Sequence, residues 1–224
     1  MAYQSPYQAF IFEDYSFDPE TNIANFHYSF DGQRHFNERI VIPAQQIQSS
    51  NPEALEKTLQ LAFYTASTSY YKAFPTKKVI FKKAQPDSWQ AQFLQKIYTE
   101  GLSQFLFEND LQLSDVATFE AGESEQSVSN YSGDGIIALQ SGGKDSLLLA
   151  TLLEEKDIQY TPWYIQYSQS HPHVLDELKY PLKTVRRSVD IEALKQAQAD
   201  GGLNGHIPVT YIVLSFALIE AILH

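Results

Sequence analysis

The chain has 224 residues, a formal net charge of −11 and no cysteine. Its 43% hydrophobic and 13% aromatic residues supply a packed core, and its length allows one large domain or two modest ones. The lack of cysteine excludes disulfides, thiolate nucleophiles and Cys-ligated zinc, and the acidic charge disfavours a nucleic acid partner. There is no secretory signal pattern, and the longest apolar run, Val209 to Leu223, is too short to span a bilayer. We therefore expect a cytoplasmic protein that does not bind nucleic acid or membranes.

The first 43 residues predict an antiparallel meander. Aromatic and β-branched residues fill three stretches, Tyr7 to Phe17, Ile23 to Phe30 and Phe36 to Ile42. In the second stretch apolar and polar residues alternate, which is the period of a half-buried strand. Turn-forming residues such as Asp31 and Gly32 separate the stretches.

Two helices and a short strand are predicted next. The first helix begins after Asn51, whose side chain is a suitable N-cap before a proline. Lys78 to Lys83 predicts a short strand. The second helix begins at Asp87, where Gln90 completes a capping box, and is predicted to run through Phe105.

The second half of the chain changes character. Residues 114–135 are polar and lack periodicity, which predicts a linker between an α+β domain at 1–113 and a second domain at 136–224. Alternating strands and helices in the second domain predict a parallel sheet with crossover helices. Three strands make a thin sheet and the chain stops within an apolar helix, so we expect this domain to be incomplete. The predicted strands are Ile136 to Leu139, Tyr160 to Tyr167 and Thr184 to Val189, and the helices are Ser146 to Lys156, Ile191 to Ala199 and Pro208 to Leu223.

The segment from Ile136 to Ala150 predicts a strand, a tight glycine turn and a helix. The adjacent Gly142 and Gly143 allow the backbone to approach an anion in conformations that other residues avoid. Free N–H groups at the start of the following helix, together with the helix dipole, favour negative charge at that place. The pattern therefore predicts a phosphate-binding turn, with an ordinary serine-capped strand-to-helix turn as the alternative.

The other residues of the turn refine this prediction. Ser141 and Ser146 add hydroxyl donors, and Lys144 adds a positive charge. Asp145 repels phosphate unless Mg²⁺ lies between them, which makes it the predicted metal ligand. A Walker A loop requires glycine where Ala138 stands and Ser or Thr where Asp145 stands, and a Rossmann turn requires a third glycine, so neither pattern fits.

At these residues the sequence resembles the PP-loop ATP pyrophosphatase superfamily, whose fingerprint is Ser-Gly-Gly-x-Asp-Ser directly after an apolar strand. Every fixed position of that fingerprint is matched. The resemblance implies an adenine nucleotide alpha hydrolase-like fold, with ATP and Mg²⁺ as cofactors and cleavage of ATP to AMP and pyrophosphate. Within the turn, Lys144 and Asp145 are the candidate catalytic residues. The candidate nucleotide-binding residues are Ser141, Gly142, Gly143, Lys144, Asp145 and Ser146.

A narrower resemblance covers nearly the whole chain. The aromatic N-terminal region, Ser69 to Pro75, Glu100 to Phe105, the glycine turn and Asn204 to Thr210 resemble the ATP-dependent epimerases that act on UDP-N-acetylmuramoyl-L-alanyl-L-glutamate in peptidoglycan precursor synthesis. The resemblance implies that the α-carboxylate of the terminal glutamate is adenylated, which makes its α-proton acidic enough for a general base. Reprotonation from the other face inverts the centre, and hydrolysis releases AMP. Members of this family continue beyond the point where this chain stops.

The segment from Gly201 to Thr210 is the second candidate site. Its glycines make a flexible loop that can place His206 beside the ATP site, as a phosphate contact or a base. Asn204 and Thr210 lie close to His206 in sequence and are candidate substrate-binding residues. A C-cap turn followed by a helix is the alternative.

Three further groups have both a functional and a structural interpretation. Adjacent residues of a strand face opposite sides, so either Arg186 or Arg187 can reach a phosphate or a substrate carboxylate, while the other meets solvent. A plain surface role for both is the alternative. We take Arg186 as the candidate. Lys72 can reach a substrate anion, although a solvated lysine at a helix end is favoured. His171 and His173 have no evident third ligand, so a polar loop is favoured over a metal site.

The leading hypothesis is thus an ATP-driven isomerase whose partners are ATP and a UDP-sugar dipeptide. The alternatives are another PP-loop adenylating enzyme, either an amide synthetase or a tRNA-modifying enzyme, and an inactive relative that binds nucleotide without turnover. The acidic charge and the lack of cysteine weaken the tRNA alternative. The general base and the oligomeric state stay open, a homo-oligomer being one option.

Overall fold

The computed structural model describes residues 3–43, 51–83, 85–122 and 133–223, and its strands belong to one mixed sheet. The strands are β1 (Ala9–Asp18), β2 (Ile23–Phe30), β3 (Arg34–Val41), β4 (Lys78–Phe81), β5 (Ile137–Gln140), β6 (Thr161–Gln166) and β7 (Lys183–Ser188). Across the described ranges the sheet has seven strands in the order β4-β1-β2-β3-β7-β6-β5. The mixed α/β class is therefore confirmed. The helices are α1 (Pro52–Ala66), α2 (Thr68–Tyr71), α3 (Ser88–Lys96), α4 (Ser103–Glu108), α5 (Lys144–Glu155), α6 (Ile191–Ala199) and α7 (Val209–Leu223).

The predicted meander is confirmed. β1 pairs with β2, and β2 with β3, in antiparallel register, and β4 lies parallel to β1 at one edge of the sheet. Along β3, Phe36, Glu38 and Ile40 are buried, whereas Asn37 and Arg39 between them are exposed. This alternation is typical of a sheet with one face on the core and one face in water.

The helix starts are confirmed, but one helix is interrupted. The Asn51 side chain accepts a hydrogen bond from the Ala54 N–H at 3.0 Å, and Asp87 and Gln90 form the predicted capping box. The helix that was predicted to run unbroken through Phe105 instead changes to a π-helical turn after α3. That turn, Ile97–Gly101, ends at a glycine that lies close to Pro208, where an added Cβ would be 3.3 Å from the proline ring.

Aromatic side chains make most of the core. They fill the space between the buried face of the sheet and helices α1, α2 and α7. Tyr28 stacks on Phe63 with ring centroids 5.0 Å apart, and its hydroxyl donates to the Phe63 carbonyl at 2.6 Å. Each such side chain buries about 150–250 Å², and fully burying a Phe contributes about 1.5–3 kcal/mol. The largest fully buried side chains include Phe10, Phe12, Phe26, Phe30, Phe36, Tyr64, Tyr70, Tyr71, Tyr98 and Trp163.

Part of the predicted linker joins this core. Val116 and Ala117 are buried, and the Ala117 N–H donates to the Tyr71 hydroxyl at 2.8 Å. Residues 123–132 of the predicted linker lie outside the described residues. Because β3 also pairs directly with β7, the meander and the later strands share one sheet. The division into two domains stays a prediction.

The predicted parallel strands are confirmed. β5 pairs with β6, and β6 with β7, in parallel register. Helix α5 makes the first crossover and packs Ala150 against Ala138 of β5 on one face of the sheet. Helix α7 contacts β5 and packs in the aromatic core on the other face. The second crossover contains a short 3₁₀ turn, His173–Glu177, in the segment where a polar loop was favoured.

A buried ion pair joins β3 to β7, where the antiparallel and parallel parts of the sheet meet. Arg187 is 4% exposed and Glu38 is 1% exposed. The Arg187 Nε and Nη2 donate to the two Glu38 carboxylate oxygens at 2.7 and 3.0 Å, and Nη2 also donates to the Ser69 hydroxyl at 2.8 Å. Burial lowers the pKa of the Arg187 guanidinium, but the charge and hydrogen bonds of Glu38 outweigh burial and raise it.

This ion pair corrects one prediction. Arg186 is exposed, as the alternation along the strand requires, but Arg187 does not meet solvent. Glu38 follows the buried alternation of Phe36 and Ile40, and that alternation was the sequence signal that a buried carboxylate would need a cation.

We predict that Glu38→Ala lowers the free energy of unfolding by about 3–5 kcal/mol, because it leaves the Arg187 charge buried without its partner. Urea unfolding measures the loss. The control is Lys195→Ala, which breaks the exposed pair with Glu192 and is expected to cost less than about 1 kcal/mol. The double variant Glu38→Leu with Arg187→Met should recover part of the loss. A loss for Glu38→Ala no larger than that of the control would contradict the prediction.

Candidate nucleotide-binding site

The glycine turn lies at the carboxyl end of β5, as predicted. β5 ends at Gln140, Gly143 is the N-cap residue of α5, and the helix begins at Lys144. Gly142 has a φ of +75°, and a Cβ at this position would lie 2.8 Å from the Cβ of Pro172. Both the left-handed backbone and the approach of Pro172 therefore require glycine here.

The two serines stabilise the turn from within. The Ser141 hydroxyl accepts from the Gly143 N–H at 3.2 Å, and the Ser146 hydroxyl donates to the Gly143 carbonyl at 2.9 Å. The Ser146 oxygen also accepts from the Ser141 N–H at 3.2 Å. The serine hydroxyls thus hold the shape of the turn in this structure, and their predicted contact with phosphate stays a prediction.

The start of α5 presents free donors. Within the described part of the chain, the backbone N–H groups of Lys144, Asp145 and Ser146 have no acceptor. The turn is open to solvent, and the side chains of Lys144 and Asp145 are 90% and 87% exposed. The Lys144 ammonium lies 2.6 Å from an Asp145 oxygen. The turn therefore offers an anion three backbone donors, the positive end of a 12-residue helix and a nearby ammonium, with a carboxylate suited to Mg²⁺.

Two neighbours of the turn were missed by sequence reasoning. Pro172 lies against Gly142, so the loop between β6 and β7 borders the turn. Gln140 is 5% exposed, and neither polar atom of its side chain has a hydrogen-bond partner among the described residues. A buried polar group without a partner costs about 1–3 kcal/mol. The only sequence signal for the buried Gln140 was an apolar strand pattern that ends in glutamine.

The second candidate segment contacts the N-terminal half of the chain. The Lys72 ammonium donates to the Asn204 side-chain oxygen at 2.7 Å and to the Gly205 carbonyl at 3.2 Å. The Leu203 N–H donates to the Ala73 carbonyl at 2.8 Å. Lys72 is thus half-buried and hydrogen-bonded, whereas a solvated lysine was favoured from the sequence, and burial lowers its pKa.

His206 and Thr210 lie further along the same segment. His206 Nδ1 lies 3.0 Å from the Gln104 amide nitrogen and 3.6 Å from a Glu108 oxygen. Thr210 lines a surface pocket of about 400 Å³ beside the π-helical turn. None of the contacts assigned to the described residues joins either side chain to the glycine turn. Their catalytic and substrate-binding roles stay predictions, as do those of Asn204 and Arg186.

The histidine loop also has a defined arrangement. His171 Nε2 lies 2.7 Å from an Asp176 oxygen, and this hydrogen bond is the main cause of the lowered pKa of Asp176. His173 lies 3.5 Å from the other oxygen. In the described part of the chain, no group of three or more His, Cys, Asp or Glu side chains is arranged to hold a metal ion.

The fold and the turn define a mixed α/β protein in which a glycine turn joins a parallel strand to a helix and presents free backbone donors to solvent. The chain belongs to the MurL family, because the family model described as MurL N-terminal domain matches residues 1–224. No solved structure matches the chain. Within its described residues, no helix has the length and apolar character that crossing a membrane requires.

Three curated proteins are similar to the chain, and each is named UDP-N-acetyl-alpha-D-muramoyl-L-alanyl-L-glutamate epimerase. The relative from Salinispora tropica is 31% identical over 226 residues, covering 96% of this chain and 49% of the relative. The relative from Xanthomonas oryzae pv. oryzae is 28% identical, covering 92% and 47%, and that from Micromonospora sp. is 28% identical, covering 96% and 50%. The chain therefore spans about half the length of the curated relatives it matches.

We predict that Gly142→Ala destabilises the protein more than Gly32→Ala does. Both glycines have positive φ, and a left-handed conformation costs an L-residue about 1–2 kcal/mol. Only at Gly142 does the new Cβ also meet a neighbour, since nothing lies within 4 Å of the corresponding atom at Gly32. The measurement is the free energy of unfolding in urea. Equal losses for the two variants would show that Pro172 does not constrain the turn.

Proposed function

We propose that this chain supplies the ATP-binding part of an epimerase that inverts the terminal L-glutamate of UDP-N-acetylmuramoyl-L-alanyl-L-glutamate. The substrate and the reaction class rest on the names of three relatives that match nearly the whole chain. The nucleotide rests on the Ser141–Ser146 turn and on its match to the PP-loop fingerprint. A place in peptidoglycan precursor synthesis, in the cytoplasm, follows from this substrate.

One observation carries the proposal. Three backbone N–H groups at the start of α5 have no acceptor among the described residues, and they lie at the carboxyl end of a parallel strand. Ligands of open α/β sheets bind at such strand ends, and phosphate groups bind at helix N-termini. Neither the phosphates nor the metal need displace a buried protein group here, because Lys144 and Asp145 are exposed.

ATP would supply the driving force for removing the weakly acidic α-proton of the terminal glutamate. Transfer of AMP to the glutamate α-carboxylate releases pyrophosphate and turns a carboxylate anion into an acyl group that withdraws electrons from the α-carbon. In this proposal the N–H groups of Lys144, Asp145 and Ser146 bind the β- and γ-phosphates. The Asp145 carboxylate would hold Mg²⁺, which would supply positive charge to the phosphates, and the Lys144 ammonium beside it would neutralise the leaving pyrophosphate.

We predict that Asp145→Asn lowers the affinity for ATP–Mg²⁺ by about tenfold or more, which is about 1.4 kcal/mol, because the metal loses a charged ligand. Amide NMR titration measures the affinity and locates the ligand through the signals of Gly142 and Gly143. The matched control is Asp157→Asn, which removes an equally exposed carboxylate beyond the far end of α5. Its affinity should be unchanged.

Two outcomes would count against the ATP site. The first is a titration in which ATP–Mg²⁺ leaves the signals of the turn unmoved. The second is an equal loss in the two asparagine variants, which would indicate a general charge effect instead of a metal ligand.

A further inference from the structure

β5 is the last strand of the sheet, and its outer edge has no strand partner among the described residues. The strand reads Ile-Ala-Leu-Gln and has no charged residue, proline or bulge to discourage pairing. Proteins usually protect exposed edges by such means, because unpaired backbone groups are a template for another strand. The side chain of Gln140 in this strand also lacks a partner for both of its buried polar atoms within the described ranges. Both observations leave this edge short of hydrogen-bond partners.

The helices on both faces of β5 expose leucines. On α5, Leu148, Leu149 and Leu152 form one apolar stripe and are 57%, 45% and 44% exposed. On α7, which contacts β5 from the other face, Leu214 and Leu218 are one turn apart and are 44% and 45% exposed. We name β5 and these five leucines the β5 edge surface. Exposed apolar side chains on helices at both faces of an unpaired strand are typical of an interaction site.

We infer that the β5 edge surface docks a polypeptide that corresponds to the half of the curated relatives outside the match. That half would add a strand to β5 and cover the leucines of α5 and α7. The relatives support this occupant, because the matched region accounts for only 47–50% of their length. A strand edge flanked by two apolar helix faces is also the surface that a further strand–helix unit requires in a doubly wound sheet.

The expected effect of this docking on catalysis rests on the proposed function. Open α/β sheets bind ligands in the crevice between neighbouring strands at a topological switch point. The glycine turn follows β5, which has a neighbouring strand on one side only in the described sheet. A strand on the free side would therefore provide the second wall of the nucleotide site. The docked half should raise the affinity for ATP–Mg²⁺ and permit turnover.

The test mixes this chain with the non-matching half of each of the three relatives, and measures complex formation by light scattering and titration calorimetry. We expect a one-to-one complex with at least one half. Leu152→Lys and Leu218→Lys should each weaken it at least tenfold. The matched control is Leu113→Lys, at a leucine that is 65% exposed outside the β5 edge surface, and it should have no effect.

Activity is measured on the mixtures in heavy water, with ATP–Mg²⁺ and the UDP-muramoyl dipeptide. We expect AMP and pyrophosphate release, and one deuterium at the glutamate α-carbon, only when both halves are present. Asp145→Asn should remove turnover but leave the complex intact, so a failed ATP site is distinguishable from failed docking. The inference is overturned if none of the three halves binds, if the lysine variants bind normally, or if the surface instead forms a homodimer that the halves do not displace.

Discussion

The buried pair of Glu38 and Arg187 is the interaction on which the arrangement of the sheet depends. It lies where β3, the last strand of the meander, meets β7, the first parallel strand beside it. A buried pair is weak as a source of net stability, but either charge alone is costly to bury. The pair therefore penalises arrangements that separate β3 from β7. The bond from Arg187 to Ser69 extends the same restriction to α2, which packs on the core face.

The strands beyond that junction fix the position of the glycine turn. β7 fixes β6, β6 fixes β5, and the turn begins directly after β5. The loop between β6 and β7 places Pro172 against Gly142, so the conformation of the turn depends on the strands on both sides of that loop. Within the turn the hydroxyls of Ser141 and Ser146 hydrogen-bond to the backbone of Gly143. The first N–H groups of α5 therefore face solvent. A preorganised anion site needs such fixed donors, because binding then requires little reordering.

Local chemistry made much of the fold predictable. The Asn51 N-cap, the Asp87 capping box and the alternation along the meander are each set by a few neighbouring residues, and each appears as expected. The glycine turn was predictable for the same reason. What the sequence could not supply was long-range pairing. The partner of Arg187 is 149 residues away, and the interruption after α3 reflects the fit of Gly101 to Pro208. Pairing over such a separation does not follow from local propensity or periodicity, and the approach of Gly101 to Pro208 was not predictable from them either.

The candidate site residues also differ in whether local sequence could predict their positions. The residues of the turn are consecutive, so their proximity needed no tertiary information. Asn204, His206 and Thr210 were chosen as companions of the turn because a glycine-rich loop can reach many places. In the structure Asn204 and His206 instead contact Lys72 and Gln104, and Thr210 lines a pocket beside the π-helical turn. Lys72 and Gln104 lie in two of the segments that carried the narrower family resemblance, Ser69 to Pro75 and Glu100 to Phe105.

Ser69 to Pro75 and Glu100 to Phe105 both pack against the segment from Gly201 to Thr210. Gly202 approaches Phe74 and Gly205 approaches Phe105, each closely enough that a Cβ would lie 3.1 Å or less from the ring. Lys72 then hydrogen-bonds across the junction. The junction therefore holds the start of α7 against the N-terminal helices, and α7 in turn contacts β5 from the face opposite α5.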